Sequence, residues 1–293
     1  MKTILLFFFV SFLITVNANA QNGDRDWNWD FNDLWGFEKP VIETSFGLSK
    51  TYLNGFTNKF ENTSLIDLKL GYSSEIRNHT KKWKRKSYGK TFNKYHFGYI
   101  TIGTYSTDID FRDKTTGSLP FSMWRFGLGE KEGYPIKAGR VSILPFNSNT
   151  LMWSRLDMQH LPDSTSMTDF DHILLYNKTF RFGSTFEGGV DIHFTKMFSV
   201  SLQYERSNIY QRYLFWKGAG SLLIEEAGSG MIDYFVRRIL RDKPVAGSIV
   251  NFVLKNAYYY GFYQLRTQEM NWPFGGEPAL NFNTFKLGFG FTF

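Results

Sequence analysis

Apolar and polar residues alternate along much of this chain, and the alternation is clearest at the C-terminus. The last nine residues read FKLGFGFTF, in which every second position is Phe or Leu and the positions between are Lys, Gly or Thr. Residues 179–194 show the same two-residue period, and residues 198–204 resume it after a short break. Successive side chains of a strand point to opposite faces, so each segment predicts a strand with one apolar face.

The lengths of these segments favour strands that cross a membrane. Segment 179–194 is longer than the roughly five or six residues of a globular strand, and it exceeds the roughly 9–11 residues that span a bilayer. The pattern predicts about eight strands, at 41–50, 64–74, 92–106, 119–129, 137–146, 179–194, 198–210 and 281–293. Further strands near 150–158 or 256–266 would raise the number to about ten or twelve. The predicted fold class is all-β, an antiparallel transmembrane β-barrel, with a secreted β-sandwich as the alternative.

One segment carries a helical period instead. Within residues 219–266, apolar side chains recur at three- and four-residue spacing on both sides of Pro244. Because proline lacks a backbone N–H and clashes with the preceding turn, it interrupts a helix. The segment therefore predicts a helical hairpin that is broken at Pro244.

The N-terminal residues predict secretion. Residues 1–20 combine an early lysine, an apolar stretch and small residues, as in a signal peptide that is cleaved near Ala20. Residues 21–40 form an aromatic and acidic segment, in which tryptophans alternate with acidic residues over 24–37. We favour an anchor at the membrane interface, where tryptophan is enriched, over a plug or a partner-binding segment. The barrel, with its helical insertion, is expected over 41–293.

Composition agrees with strands whose two faces differ. Aromatic residues make up 19% of the chain, with 31 Phe and 16 Tyr, although the mean hydropathy is −0.31. Transmembrane barrels combine these properties because lipid-facing and lumen-facing residues alternate. Without Lys2 the net charge is +6 (33 basic minus 27 acidic residues), and no nucleic-acid motif accompanies it, so nucleic acid is not an expected partner. The chain has no cysteine and therefore no disulfide.

The signal peptide, the amphipathic strands and the final strand together resemble the outer-membrane β-barrel proteins of Gram-negative bacteria. In that superfamily the last strand ends in an aromatic-x-aromatic signal, which Phe289, Phe291 and Phe293 match here. The resemblance implies a location in the cell outer membrane, contact with outer-membrane lipid and lipopolysaccharide, and insertion by the barrel-assembly machinery. It is superfamily-wide and names no activity.

The resemblance also implies on which side each connection lies. In this class both termini usually face the periplasm, so the short turn at 195–197 should be periplasmic and the next strand should run outward. We therefore expect the helical hairpin 219–266 on the outer side of the membrane or in the lumen, and not in the periplasm. The basic run 79–90 fits this scheme poorly as a long periplasmic turn. It is a solvated loop or, if it faces outward, a contact for lipopolysaccharide phosphates.

One group of residues has the composition of a hydrolase site. Across the turn at 195–197, His193 should pair with Ser199, and Asp191 should lie nearby on the same polar face, which are the parts of a nucleophilic site. That site would face the lumen at the periplasmic end, away from a lipid substrate, and no motif of such enzymes flanks it. We therefore favour a structural network of ion pairs and hydrogen bonds in the lumen. Its predicted members are Glu43, Asp67, Lys69, Arg125, Arg181, Glu187, Glu205 and Lys286.

These observations favour a non-enzymatic outer-membrane barrel that acts through its helical hairpin and loops as a docking, assembly or ligand-binding component. Segment 24–37 or segment 219–266 would contact a protein partner. A plugged or gated channel is one alternative, and it requires about ten strands or more because side chains fill an eight-stranded barrel. A lipid hydrolase that uses His193 and Ser199 is the other. No cofactor is expected, and no metal, since the aspartates of 24–37 lack the glycine and spacing of a calcium loop.

Overall fold

The computed structural model describes residues 39–77, 93–107, 118–158 and 167–293, which form nine strands and three helices. The predicted signal peptide at 1–20, the aromatic segment at 24–37 and the basic run at 79–90 lie outside the described residues.

Eight strands close into an antiparallel barrel. They are β1 (Lys39–Leu53), β2 (Thr63–Arg77), β3 (Asn93–Ser106), β4 (Phe121–Gly133), β6 (Val141–Met158), β7 (Phe180–His193), β8 (Phe198–Ile209) and β9 (Leu280–Thr292). Neighbours pair in the order β4-β3-β2-β1-β9-β8-β7-β6, and β4 pairs with β6 to close the ring. The first and last strands are neighbours, and we call their pairing the seam. The prediction of an antiparallel barrel of about eight strands is confirmed.

The short strand β5 (Ile136–Ala138) pairs only with the start of β6, through a turn at Gly139. Gly139 has a φ of 65°, a conformation that favours glycine. The predicted strand at 137–146 and the possible strand near 150–158 are one long strand, β6, and the possible strand near 256–266 is helical. The higher strand numbers are therefore wrong, because one strand was divided and a helical segment was considered as a strand.

The barrel has two different ends. One end, which we call the turn end, carries the β4–β5 connection, the turn at 194–197 and the C-terminal Phe293. The other, the loop end, carries the loop at 54–62, the helix α1 (Met167–Leu174) and the segment 269–279. The strand β1 runs from the turn end to the loop end.

The two long helices between β8 and β9 form the predicted hairpin. They are α2 (Phe215–Asp242) and α3 (Pro244–Gln268), which meet at Lys243. Pro244 begins α3, a position where the missing N–H would have no helical partner in any case. The helical hairpin, as we call residues 215–268, is therefore confirmed and is slightly longer than the predicted 219–266.

The helical hairpin lies lengthwise on the outside of the barrel. Near the turn end, Ser248 donates a hydrogen bond to the carbonyl of Tyr134 at 2.6 Å. Near the loop end, the Asn54 amide donates to the carbonyl of Thr267 at 3.3 Å. About 19 residues of α3, or roughly 28 Å of helix, lie between these two contacts. The expected position in the lumen is therefore wrong, because the hairpin packs on the outside of the barrel and runs back along the wall to the turn end. The side of the membrane on which it begins stays a prediction.

Alternation sorts the strand residues into an inner and an outer face. In β1 the residues from Val41 to Leu48 alternate between buried and exposed. The exposed outer residues away from the helical hairpin form an apolar belt, which includes Ile42, Phe46, Leu48, Ile66, Leu68, Ile100, Ile102, Trp124, Phe126, Leu128, Leu202, Phe285 and Leu287. The inner positions between them carry buried polar and charged residues. This is the distribution of a barrel whose outer face meets hydrocarbon.

Candidate functional site: the filled lumen and the wall-bound hairpin

A network of buried charges occupies the middle of the lumen. Lys286 of β9 is at its centre, with its Nζ 2.8 Å from Glu187 Oε1, 2.8 Å from Glu205 Oε2 and 3.5 Å from Asp67 Oδ2. All four side chains are buried. Charges can be buried in this way because one ammonium compensates several carboxylates at close range.

Arg125 of β4 forms a second centre. Its Nη1 and Nη2 donate to the two carboxylate oxygens of Glu205 at 2.5 Å and 2.9 Å, and Nη2 is 3.2 Å from Asp67 Oδ2. The Tyr105 hydroxyl accepts from Arg125 at 3.0 Å and donates to Glu205 at 3.0 Å. Paired, parallel bonds between a guanidinium and a carboxylate fix the orientation of both groups. The arrangement therefore ties β3, β4 and β8 together across the lumen.

A third group lies nearer the turn end. The Lys131 Nζ is 2.5 Å from Glu43 Oε2 and 3.1 Å from Asp191 Oδ2. The Lys69 Nζ is 2.5 Å from Glu187 Oε2 and 3.9 Å from Glu43 Oε1. Since Glu187 also binds Lys286, this group joins the central one. The described network contains four cations and five carboxylates, a net charge of 4 − 5 = −1: Lys69, Arg125, Lys131, Lys286, Glu43, Asp67, Glu187, Asp191 and Glu205.

The structure brings together most of the residues that the sequence placed in a lumen network. Arg181 is apart from it, because this residue lies at the loop end and donates to the carbonyl of Leu175. Lys131 also belongs to the network, although it lies two residues beyond the end of the predicted strand 119–129. Asp191, a weak catalytic candidate on the predicted polar face, binds Lys131 with its carboxylate and belongs to the network.

Apolar clusters lie on both sides of the buried charges. The cluster at the loop end includes Leu53, Leu65, Phe121, Met123, Met158 and Phe282, and Ile173 of α1 packs on it. The cluster at the turn end contains Val41, Phe97 and Tyr99, with Tyr95 against it. The ion pairs are therefore enclosed between two apolar layers, where low local polarity strengthens each of them.

The hydrolase candidates pair as the sequence predicted but do not form a nucleophilic site. His193 is opposite Ser199, and Asp191 is opposite Ser201, in the β7–β8 register. The Asp191 carboxylate binds Lys131, and the His193 ring lies at the edge of Tyr95, with ring centroids 6.3 Å apart. A base that is not oriented by its carboxylate lacks the third part of such a site.

Two groups of acidic and histidine side chains have spacing that could hold a cation. Asp67, Glu187 and Glu205 bring one oxygen each within 4.8 Å of one another, but the Lys286 ammonium already binds all three. His96, Glu130 and Glu132 form the other group on the outer wall. There Lys94 binds Glu132 at 2.6 Å, and Lys255 of α3 is 3.5 Å from it. Ammonium groups thus neutralise both clusters, and neither carries evidence of a metal.

The outer wall is polar where α3 covers it. Glu132 of β4 pairs with Lys255, and the Arg206 guanidinium of β8 lies 4.0 Å from the centre of the Tyr260 ring. The Thr267 hydroxyl of α3 donates to Asn281 Oδ1 of β9 at 3.2 Å. The apolar belt is thus replaced by hydrogen-bonding residues along the path of the helix.

The helix approaches the wall closely at Gly188 of β7. A Cβ at this position would lie 1.7 Å from the side-chain oxygen of Asn256, so a larger residue would have to displace that side chain of α3. One turn further along, the Tyr259 ring stacks on Phe186 with centroids 4.7 Å apart. The helical hairpin is therefore packed on the barrel rather than loosely attached.

The same helix crosses the seam near the loop end. The Tyr263 hydroxyl is 2.9 Å from the Tyr52 hydroxyl of β1 and donates to Asn283 Oδ1 of β9 at 3.1 Å. Within the helical hairpin, Lys255 binds Asp233 at 2.8 Å, which joins the two helices. These contacts fix the hairpin to both terminal strands of the barrel.

The terminal aromatic residues lie on the outer face of β9. Phe289 is opposite Thr44 and Phe291 is opposite Ile42 in the seam, and Phe293 is exposed beyond the strand. The Phe291 ring lies 5.5 Å from the ring of Phe198 on β8. The predicted assembly signal is therefore presented outward at the turn end.

No known protein-family model matches the chain, and no curated protein sequence matches it. Among solved structures, the crystal structure of Neisserial surface protein A (NspA) is similar, with a TM-score of 0.40 and 9% identity over 87% of this chain and 97% of that chain. The crystal structure of Ail, the attachment invasion locus protein of Yersinia pestis, is similar with a TM-score of 0.34 and 8% identity over 87% of this chain and 98% of that chain. By its own geometry, this chain is a closed eight-stranded barrel with the filled lumen and apolar outer belt of an outer-membrane barrel.

Proposed function

We propose that this protein is an outer-membrane barrel that neither conducts solutes nor catalyses a reaction, and that acts as a docking or assembly component. The observation that supports the proposal is the combination of a filled lumen with a rigid helical hairpin on the outer wall. A barrel whose interior is packed serves as an anchor. Its working surfaces are then the outer wall, the helical hairpin and the loop end.

The lumen network argues against a channel. A passive pore needs a water-filled path, whereas this lumen holds interlocked ion pairs between two apolar clusters. Leaving one charge of a buried ion pair without its partner costs about 3–5 kcal/mol, and opening a path would do this to several charges. The helical hairpin cannot serve as a movable plug, because it packs on the outside of the barrel.

The loop end offers a fixed surface on the water side of the barrel. The carboxylate of Asp169 on α1 accepts hydrogen bonds from the backbone N–H groups of Thr57 and Asn58, each at 3.2 Å, and from the Thr57 hydroxyl. These bonds hold α1 on the β1–β2 loop and display exposed apolar residues, among them Leu174. A preorganised surface of this kind loses little conformational entropy when a partner binds.

The remaining contacts follow from the proposed location. Outer-membrane lipid would surround the apolar belt, and lipopolysaccharide would border the loop end. The barrel-assembly machinery would read Phe289, Phe291 and Phe293 before the seam closes. These partners are proposed from the resemblance of the terminal strand to the assembly signal.

Conductance in planar bilayers tests the absence of a channel. We expect the purified barrel to leave the current at baseline under conditions in which an open porin gives steps. Stable, protein-dependent steps would refute the filled-lumen argument.

A hydrolysis assay tests the absence of catalysis. Release of fatty acid from phospholipid vesicles should be absent for the protein and for the His193→Ala variant. Fatty-acid release that is lost in His193→Ala, with the fold intact, would instead support the lipid-hydrolase alternative.

The docking role needs a separate measurement. The protein is extracted from its native membrane in lipid nanodiscs and examined by native mass spectrometry. A second protein in fixed stoichiometry supports docking, and its loss in Leu174→Glu would place the contact at the loop end. A barrel that is recovered only with lipid, in amounts that match total expression, would refute a stable docking role.

A further inference from the structure

The helical hairpin has an unusual distribution of residues between its two faces. Among the residues of α2 between Lys217 and Arg237, Glu226 is the only exposed one that carries a charge. From Val245 to Tyr260 on α3, every exposed residue is uncharged. The exposed surface is formed by large apolar side chains that include Leu223, Met231, Tyr234, Phe235, Ile249 and Val253.

The buried side of the hairpin, which packs on the barrel and between the two helices, combines an apolar cluster around Val236 and Leu240 with many polar residues. Ser229, Ser248, Asn251, Lys255 and Arg266 are all buried. The Ser229 hydroxyl accepts from Tyr259 at 2.9 Å, and Lys255 and Arg266 have carboxylate partners at 2.8 Å and 2.7 Å. A helix on the surface of a soluble protein shows the opposite arrangement, with apolar residues inward and charged residues outward.

The position of the hairpin matches the depth of a bilayer. Between its contacts at Ser248 and Thr267, α3 covers roughly 28 Å, close to the roughly 30 Å thickness of the hydrocarbon core. The exposed face of the hairpin lies beside the apolar belt, whose Leu128 belongs to the same strand as Glu132 beneath α3. Both apolar surfaces are therefore on the outside of the barrel.

Both ends of the hairpin carry the residues that mark membrane interfaces. At the loop end, Trp216 is 83% exposed and stands next to Tyr213 and Phe215. At the turn end, four basic residues are exposed around a single acidic one, Asp242: Arg237, Arg238, Arg241 and Lys243. Aromatic residues are enriched at bilayer interfaces, and arginine binds phosphate groups well.

We propose that the outer face of the helical hairpin lies within the bilayer and contacts acyl chains, with its basic tip among the lipid phosphates at the turn end. This proposal rests on the membrane location in the proposed function. The hairpin is then a membrane-embedded part of the barrel wall, which meets lipid on one side and the polar strip of the barrel on the other.

The proposed arrangement explains how helices of low overall hydropathy can lie in a membrane. No helix among the described residues is long and apolar enough to cross a membrane. Hydropathy counts every face of a helix, whereas here only the outer face would meet lipid. The polar half is satisfied partly by the wall and partly by contacts between the two helices, as buried polar groups in hydrocarbon must be. The cost of placing Lys255 at this depth is offset by Asp233 and Glu132.

Single cysteines in this cysteine-free chain provide the test. Met231→Cys and Val253→Cys sample the outer face, Leu128→Cys samples the apolar belt, and Gln268→Cys samples water at the loop end. Each is labelled with an environment-sensitive fluorophore and folded into phosphatidylcholine vesicles with bromine at the acyl-chain centre. We expect quenching of the two hairpin labels to match that of Leu128→Cys within about twofold, and little quenching of Gln268→Cys. A label at Lys243→Cys should respond instead to a quencher in the headgroup region.

A water-soluble maleimide gives the complementary readout. Met231→Cys and Val253→Cys should react roughly tenfold more slowly than Gln268→Cys, because hydrocarbon excludes a charged reagent. Equal reaction rates without quenching would place the face in water and overturn the proposal. Neither quenching nor reaction would show that a second copy covers the face, which also overturns it. If Leu128→Cys itself is not quenched, the membrane location in the proposed function fails instead.

Discussion

Replacing Lys286 with methionine should destabilise the barrel while it leaves the outer surface unchanged. Methionine is unbranched and of similar length, so it fills most of the same space but carries no charge. The change removes the ammonium that binds Glu187, Glu205 and Asp67 in the middle of the lumen. The net charge of the network then falls from −1 to −2.

The magnitude follows from the partners that remain. Glu187 keeps Lys69 at 2.5 Å, and Arg125 still binds Glu205 at 2.5 Å and Asp67 at 3.2 Å. Removing one partner of a buried pair costs about 3–5 kcal/mol. Because each carboxylate keeps one cation, we expect the lower end of that range, about 3 kcal/mol of unfolding free energy.

Urea unfolding in phospholipid vesicles measures this loss, with the faster gel migration of the unboiled barrel as the signal for the folded state. The matched control is Lys50→Met, since Lys50 lies exposed on the outer face of β1. A surface change of this kind should alter the unfolding free energy by less than about 0.5 kcal/mol. The control separates the loss of a buried charge from a general effect of lysine removal.

A double-variant cycle makes the reasoning refutable. Glu187→Gln alone should also destabilise, because Lys69 and Lys286 each lose a partner. Combined with Lys286→Met it should cost less than the sum of the two single changes, by about 1–3 kcal/mol. A loss below about 1 kcal/mol for Lys286→Met, or strict additivity of the two changes, would show that the network does not stabilise the fold as argued.

Three further predictions concern the ends and the wall of the barrel. Deletion of the last three residues or Phe293→Ala should lower the amount of folded barrel in the outer membrane, measured on unboiled gels; unchanged amounts would exclude the assembly signal. Burial raises the pKa of Asp169, but the hydrogen bonds from Thr57 and its neighbour outweigh burial and leave the pKa below its usual value. The contact is therefore complete above pH values near 3.8 and is lost as the pH falls through the folded-state pKa, so Asp169→Asn should speed amide exchange at Thr57 at neutral pH but not at a pH below that folded-state pKa. Gly188→Leu places a side chain against Asn256 and should release α3 from the wall, seen as proteolysis within the hairpin; resistance equal to that of the native protein would contradict the close contact.

The barrel could be predicted from the sequence because one physical rule determines the residue type at most strand positions. A residue on a transmembrane strand faces either lipid or the lumen. The alternation in 179–194 or 285–293 therefore indicates both that the segment is a strand and which of its faces meets lipid. The same rule identified seven network residues, from Glu43 to Lys286, before any pairing was known. The alternation does not define where a strand ends, and Lys131 lies beyond the predicted end of its strand for that reason.

The position of the helical hairpin could not be obtained in this way. The sequence pattern places the hairpin by topology alone, on the side to which the strand after the 195–197 turn delivers the chain. Within hydrocarbon, the charges of Lys255 and Arg266 would be costly without partners. Their partners come from the other helix and, for Lys255, from an outward-facing residue of β4, Glu132. A signal was present in the polar residues at outer strand positions, such as Asn281 and Asn283, which interrupt the lipid-facing pattern. The reason for these polar residues is clear only from the structure, in which α3 covers them.

The crossing of the seam by α3 has a consequence for the order of folding. Tyr263 bonds to Tyr52 near the beginning of the chain and to Asn283 near its end, so its binding surface is complete only once β1 and β9 have met. Docking of this part of the helix must therefore follow closure, as a late step that depends on contacts far apart in sequence. Once docked, this part of the helix binds both terminal strands, so its hydrogen bonds must break before β1 can separate from β9. Undocking of α3 therefore precedes opening of the barrel at the seam and adds to the barrier for unfolding.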